Sequence, residues 1–318
     1  MTFRQNSGQR LLPTGRLRVA GALSESGADG RQAGCAGSGA KLKTMYITKL
    51  PPRGRLLGGL AAAGLANGLL NRVADAIASD GLAGAIAGTF GISALVWIAA
   101  CVCVVHAWTA PRETPGRWDI VAAWIAAAML CIPSDVVSWM TVSGVALYFI
   151  KQTAPSSSLR RAAVILLAIT IPCFWSRIVF ALLSGPILSA DALLVSAVIG
   201  TQRTGNVFET IDGTGAIWIA PGCSSLANVS LTILCWTLFV NLYAGRRTAA
   251  TTALVWCSLS AAVVIAINVG RMALVGLEPQ LYDAVHGPVG GAIAGWLTLG
   301  AMVAITFQGI RHDNRARS

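Results

Sequence analysis

TAATTALVWCSLSAAVVIAINV, residues Thr248–Val269, runs for 22 residues without a charged side chain. A helix that crosses the hydrocarbon core of a bilayer needs about 20 mostly apolar residues, so this stretch is long enough to span. Arg246 and Arg247 stand just before it and Gly270-Arg271 just after it. The same pattern of apolar runs parted by short polar segments recurs along the chain. Further candidate spans are Leu56–Asn71, Gly81–Ala107, Trp118–Pro133, Val136–Ile150, Ala162–Leu183, Ser224–Ala244 and Gly287–Gly309. The expected fold class is therefore an all-α polytopic membrane protein with about eight transmembrane helices.

Composition agrees. Of 318 residues 55% are hydrophobic and only 12% charged, and the mean hydropathy is +0.66, whereas soluble domains carry roughly 25% charged residues. The net charge of +11 does not point to nucleic acid, because the Lys and Arg cluster between apolar runs as cytoplasmic loops do. If all eight runs span, then Arg53, Arg55, Arg112, Arg117, Lys151, Arg160, Arg161, Arg246, Arg247, Arg311, Arg315 and Arg317 fall on one side. That side is the cytoplasm, with both termini inside. The opposite side receives Asp75, Asp80, Asp135, Asp191, Glu209, Asp212, Glu278 and Asp283. Pro186–Gly200 is too short to span comfortably and carries Asp191, so it reads as a helix lying on the outer interface.

Residues 1–44 are rich in Gly, Ser and Arg, and read as a disordered or untranslated extension; Met45 opens a short basic lead into the first apolar run. Residues 45–318 form a single integral-membrane domain. The eight cysteines do not suggest a disulfide framework, since Cys101, Cys103, Cys131, Cys173, Cys235 and Cys257 lie within apolar runs and Cys35 in the polar tail. Cys223 alone sits in a polar segment, PGCSSL, beside an apolar run.

The residues before it, Val207–Ala220, form two runs with aromatic and β-branched side chains around Asp212-Gly213, an expected β-hairpin on the outer side. Cys223 is then expected at the first turn of the sixth span, with Ser224 and Ser225 near its N-cap. The unsatisfied N–H groups and partial positive charge of a helix N-terminus favour a thiolate, which is the nucleophile. Two further residues reach the same side. Arg271 lies at the outer end of the seventh span, where a charge is costly unless it serves a purpose. His286, in YDAVHGPVGG, lies at the outer start of the last span, and Pro288 suits a first helical turn. Chemistry suggests a division of labour in which Cys223 attacks a carbonyl, His286 shuttles the proton and Arg271 stabilises the oxyanion. Asn268, one turn before Arg271, could orient it, and Asp283 could hold the imidazole. Arg72 and Asp75 could pair. Arg177 either faces the bundle interior or marks an earlier end to the fifth span.

At these residues the chain resembles the exosortase/archaeosortase family of membrane transpeptidases. PGCSSL with Cys223, NVGRM with Arg271 and VHGPVGG with His286 carry the resemblance, in the family's order and behind a hairpin-like loop. The family usually has Cys-Ser-Gly where this chain has Cys223-Ser224-Ser225. The resemblance implies an enzyme of the bacterial inner membrane, active on its periplasmic side. It would cleave exported proteins near a C-terminal sorting signal and pass the new C-terminus to a surface acceptor, a role tied to exopolysaccharide production. Catalytic residues would be Cys223, Arg271 and His286, with Ser224, Ser225 and Asn268 supporting or touching substrate. The expected partners are such exported proteins and the lipid bilayer. No metal site or nucleotide loop is visible, so no cofactor is expected. A non-catalytic membrane component of exopolysaccharide synthesis or export, a transporter and a membrane acyltransferase are the competing readings.

Overall fold

Long apolar runs leave backbone N–H and C=O groups no partners but one another, and helices follow. The computed structural model describes residues 51–213, 215–243 and 249–315. Residues 1–44, Met45, the pair Arg246-Arg247 and Arg317 lie outside the described residues, so the expectations resting on them go no further here.

The elements are α1 (Arg53–Ala87), α2 (Ala94–Trp108), α3 (Arg117–Leu130), α4 (Asp135–Gln152), α5 (Ser158–Thr170), a π-helical turn (Ile171–Trp175) and α6 (Ser176–Ile199). Three short strands follow, β1 (Arg203–Thr204), β2 (Val207–Glu209) and β3 (Ala216–Trp218), and then α7 (Leu226–Tyr243), α8 (Ala250–Leu277), the single turn α9 (Tyr282–His286) and α10 (Pro288–Arg315). Among the described residues four helical stretches are long and apolar enough to cross a membrane: Ser158–Ile199, Leu226–Tyr243, Ala250–Leu277 and Val289–Arg315. Large apolar side chains face outward along the bundle, among them Leu182, Trp124, Leu254 and Trp296, as lipid-facing surfaces require.

The expected span Gly81–Ala107 is not one helix. α1 continues well past Asn71, bends at Gly81 (φ 68°) and ends at Ala87. The chain then breaks, with Thr89 and Phe90 both in the left-handed region at φ 52° and 56°. This conformation is costly for side chains bearing a Cβ and persists only under outside support. The Thr89 hydroxyl donates to the Ile92 carbonyl at 2.6 Å and the Trp97 indole N–H to the Thr89 carbonyl at 3.2 Å. Ser93 then caps α2 by accepting from the Leu95 N–H at 3.3 Å.

Ser158–Ile199 is 42 residues long, roughly 60 Å at a helical rise of about 1.5 Å per residue, twice the hydrocarbon thickness. It does not run straight. The π turn interrupts it, and Leu183 leaves helical geometry (φ −124°, ψ 22°) three residues before Pro186. The expected interfacial segment Pro186–Gly200 is therefore the part of α6 beyond this kink, continuous with the preceding helix rather than a separate one.

Polar side chains stitch the bundle at both ends. The Arg53 guanidinium lies 3.0 Å from the Glu113 carboxylate and 2.9 Å from that of Asp119. Asp119 is buried and also accepts from the Gly116 N–H at 2.8 Å and the Tyr148 hydroxyl at 2.9 Å. Arg160 donates to the Ile150 and Thr153 carbonyls. These contacts bring together the start of α1, the start of α3, the end of α4 and the start of α5, the ends that the charge pattern places on one side. Toward the other end Arg177 faces Asp135 at 4.0 Å; it stands at the start of α6, which runs on to Ile199, so it marks no earlier helix end. Among the described residues Arg72 and Asp75 form no ion pair. Near that same end, around the α3–α4 turn, the Asn67 amide donates to the Ser138 hydroxyl at 2.7 Å and the Leu130 carbonyl at 3.2 Å, and the Trp139 indole donates to the Gly68 carbonyl at 3.1 Å.

The apolar interior has two parts. The larger is built from α1, α2, α4, α5 and α7 around Trp139, Phe149, Ile165 and Leu166. The smaller joins α6, the sheet and α8 through Leu188, Val195, Ile199, Phe208, Ile219 and Met272, with Cys223 at its edge. A Cβ on Gly276 would lie 2.9 Å from both the Ile199 side chain and the Phe208 ring, so the bare backbone of α8 is what admits the Phe208 plug. We expect Gly276→Val to cost about 1–3 kcal/mol through overpacking, and Gly276→Ala less. Lower thermal stability in detergent and protease cleavage within residues 203–218 would be the readouts; an unchanged melting curve would contradict this packing.

Candidate active site

The sheet sets the approach to Cys223. Residues around Asp212-Gly213 do turn, with Gly213 at φ 65°, and Val207, Phe208 and Glu209 pair antiparallel with Trp218, Ile217 and Ala216. The loop is longer than a two-residue turn: Thr210 accepts from the Gly215 N–H at 3.0 Å and donates to Asp212 at 2.6 Å. A third strand, Arg203–Thr204, pairs with β2; its two residues were too few to stand out in the sequence. Phe208 and Ile219 are fully buried, and the Ile211 N–H donates to the Gly276 carbonyl at 3.1 Å. The hairpin is thus anchored to the end of α8.

Cys223 does not sit on the first turn of α7. It closes a 3₁₀ turn, Pro221–Cys223, and α7 starts at Leu226. Ser224 is extended (ψ 141°). Its hydroxyl accepts from the Leu226 N–H at 3.3 Å, while the Ser225 carbonyl accepts from the Val229 N–H at 2.9 Å. Ser225 is therefore the N-cap residue. Its own N–H donates to Asp191 Oδ2 at 3.2 Å and its hydroxyl to Asp191 Oδ1 at 2.5 Å. Two backbone donors at this helix start are thus engaged by groups other than Cys223, the Leu226 N–H by Ser224 and the Ser225 N–H by Asp191.

What holds Cys223 is α8. The Asn268 amide donates to the Cys223 carbonyl at 2.8 Å, and Asn268 is only 7% exposed. Asn268 accordingly serves the cysteine's backbone rather than Arg271. One turn along, Arg271 donates from Nε to the Val285 carbonyl at 3.3 Å, the residue before His286. Arg271 has no carboxylate partner among the described residues. The His286 ring stacks on Tyr282, with centroids 4.7 Å apart and planes 9° from parallel. Both its ring nitrogens are buried and form no hydrogen bond among the described residues, so Asp283 does not hold the imidazole. Burial, and then the Arg271 charge, lower the His286 pKa below its usual value against a weaker opposing pull from the Tyr282 backbone. Gly290 lets the start of α10 close on this turn, since a Cβ there would lie 2.2 Å from the Ala284 carbonyl oxygen.

The three expected residues are therefore joined through intermediaries: Cys223 to Asn268, Asn268 to Arg271 along α8, and Arg271 to the backbone next to His286. No hydrogen bond links Cys223 directly to Arg271 or His286 among the described residues. Beside them a cavity of about 200 Å³ opens between α7, α8 and α10, lined by Asn228, Asn268, Arg271 and Thr298 and by the small residues Gly291 and Gly295. Cys223 and His286 are not among its lining residues. The sequence reading missed Asp191 as a partner of this turn. Its signal was a carboxylate inside an otherwise apolar stretch, which needs a donor when buried.

Removing the Asn268 amide leaves the Cys223 carbonyl unpaired, and we expect Asn268→Ala to cost about 1–3 kcal/mol in thermal unfolding of the purified protein; a neutral effect would mean that the bond is not formed. In comparison with known proteins, no family model, no curated protein and no solved structure matches this chain.

Proposed function

We propose that this chain is a membrane-embedded cysteine peptidase or transpeptidase of exosortase-like type, with Cys223, Arg271 and His286 as its catalytic residues. The observation that carries the reading is the link from α8 to both chemical partners: Asn268 holds the Cys223 carbonyl and Arg271 holds the carbonyl next to His286. One helix thereby sets the spacing of a thiol, a guanidinium and an imidazole drawn from three separate segments. On this reading eight helices span the bilayer. The Arg53–Asp119 end faces the cytoplasm, and the Cys223 end faces the periplasm of the inner membrane. The substrate is an exported protein with a C-terminal sorting signal whose scissile bond sits just above its own membrane helix.

The steps follow from these groups. His286, kept neutral by burial and the neighbouring Arg271 charge, takes the Cys223 proton. The thiolate adds to the scissile carbonyl, forming a C–S bond, and Arg271 faces the oxyanion with its terminal guanidinium nitrogens. The intermediate collapses, the C–N bond breaks, and protonated His286 returns its proton to the leaving amine. The thioester on Cys223 is then opened by a nucleophile of the acceptor or by water, which gives transfer or hydrolysis. The cavity lined by Asn268 and Arg271 would receive a neighbouring group of the substrate.

The test is processing in cells of a reporter with a sorting-signal tail, followed as a size shift on a gel. Cys223→Ala and Cys223→Ser are expected to abolish it, a loss of at least about 1000-fold. Arg271→Ala and His286→Ala are expected to lower it about 100- to 1000-fold, while Cys101→Ala and Cys235→Ala should be mild. Normal processing by a well-expressed Cys223→Ala protein would discard the reading in favour of a non-catalytic role.

The pH profile offers a separate check. A base with a lowered pKa stays neutral further into acid, so the acid limb of processing should lie below the usual histidine range near 6.5. Arg271→Gln removes the charge that contributes to this lowering and should move the limb toward higher pH in the residual activity. A limb that stays in place would show that Arg271 does not act on His286.

A further inference from the structure

Three polar side chains around the cavity between α7, α8 and α10 leave bonding capacity unused. Arg271 has no carboxylate partner among the described residues and donates there only from Nε. The Asn228 amide and the Thr298 hydroxyl form no hydrogen bond among the described residues, although Thr298 is only 5% exposed. All three line this cavity of about 200 Å³. A second cavity of about 350 Å³ adjoins it at Asn228, Gly295 and Thr298, which line both. Its walls are Leu231 of α7, Trp296, Leu299 and Met302 of α10, and Thr89 of the α1–α2 break. Trp296 is also 69% exposed, so this second cavity opens on the lipid-facing side. Polar and apolar walls differ in depth. Leu299 and Met302 lie about 12 and 16 Å beyond Gly291 along α10, toward the middle of the bundle. Gly291 and Gly295 keep the floor open, since a Cβ on either would meet no atom within 4 Å.

We propose that the two cavities form one site for an anionic phospholipid, with its phosphate on Arg271, Asn228 and Thr298 and an acyl chain along Leu299 and Met302. The proposal concerns binding and does not rest on Cys223 being a nucleophile. A guanidinium at membrane depth is costly without an anion, and the described residues supply no carboxylate. The anion then comes from outside the chain, and the bilayer lies at the open side of the groove. A guanidinium matches phosphate oxygens with paired N–H donors, and the Asn228 amide and Thr298 hydroxyl add neutral donors beside it. The order of the walls suits a lipid: polar near the helix ends, apolar toward mid-bundle. A lipid here shares Arg271 with the substrate group of the proposed reaction. The two exclude one another, and the lipid is the resting occupant.

The experiment is native mass spectrometry of the full-length protein in a neutral detergent, titrated with palmitoyl-oleoyl phosphatidylglycerol and, as the zwitterionic reference, the matching phosphatidylcholine. The wild-type protein should hold one phosphatidylglycerol at least about tenfold more tightly than phosphatidylcholine. Arg271→Gln should weaken that binding about 10- to 100-fold, and Thr298→Val severalfold. Gly295→Leu puts a side chain into the open groove and should abolish retention with the lipid-free melting temperature unchanged. Trp124→Ala, on the exposed face of α3, should bind as the wild type does. Equal affinity for the two lipids would overturn the proposal, as would full retention by Gly295→Leu. A loss in Trp124→Ala as large as that in Gly295→Leu would mean unspecific surface lipid and reject the site. Inorganic phosphate, which lacks the chain, should not displace the lipid; displacement would reduce the site to a bare anion pocket. A carboxylate-bearing peptide that binds where phosphatidylglycerol does not would assign the groove to a polypeptide instead. Should Arg271→Gln fail to fold, Gly295→Leu and Thr298→Val decide. Cys223→Ala should retain the lipid fully, so a failure of reporter processing leaves this site standing, and a failure to bind lipid leaves the peptidase reading standing.

Discussion

The 2.8 Å hydrogen bond from the Asn268 amide to the Cys223 carbonyl joins the cysteine turn to a long apolar helix. On one side is a 28-residue apolar helix, α8; on the other is a turn that has left helical geometry and exposed its backbone. In surroundings poor in water, a carbonyl without a donor is expensive. The amide removes that cost and fixes the height of the turn against the helix. Arg271, one turn further, and Gly276, which admits Phe208, inherit their placement from the same helix. The hairpin, the cysteine turn and the His286 turn are all read out against α8.

This arrangement explains why the polar residues of the chain gather at helix ends rather than at mid-bundle. Asp191 meets Ser225, Asn268 meets Cys223 and Arg271 meets Val285, each by a contact to backbone or to a cap. At the other end Arg53, Glu113 and Asp119 do the same work for α1, α3 and α4. Asn67 reaches the α3–α4 turn from α1. Each such residue satisfies a group that could not otherwise find a donor or acceptor.

Much of this was legible in the sequence, for identifiable reasons. Run length and the positions of Arg and Lys give the helices and which ends lie together, because apolar surface and charge act through composition. Asp212-Gly213 gives the hairpin because positive φ at Gly213 is a local preference. The break after Ala87 was hidden, since Thr89 and Phe90 adopt left-handed backbone under support from Ile92 and Trp97 rather than by their own preference. The start of α7, expected at Ser224, lies two residues later at Leu226, because Ser225 is held by an acid 34 residues earlier. The same applies to Asn268: spacing suggested a partner on its own helix, and the fold supplied one from another segment. The three candidate catalytic residues could be placed at one end from topology alone, but their coupling through Asn268 and Val285 could not.

The span of chain between Asp191 and Ser225 also bears on how the protein is made. Synthesis proceeds from the N-terminus, so α6 leaves the ribosome while the serine that will satisfy its carboxylate does not yet exist. Until the hairpin and the start of α7 have followed, Asp191 is an acid on an apolar segment with no donor, and settling it among lipid or protein is unfavourable. The second half of α6 therefore gains its resting place only when α7 arrives. α7 also carries Leu234, Cys235 and Leu238 of the larger apolar interior, so its arrival completes both the Asp191 contact and that core.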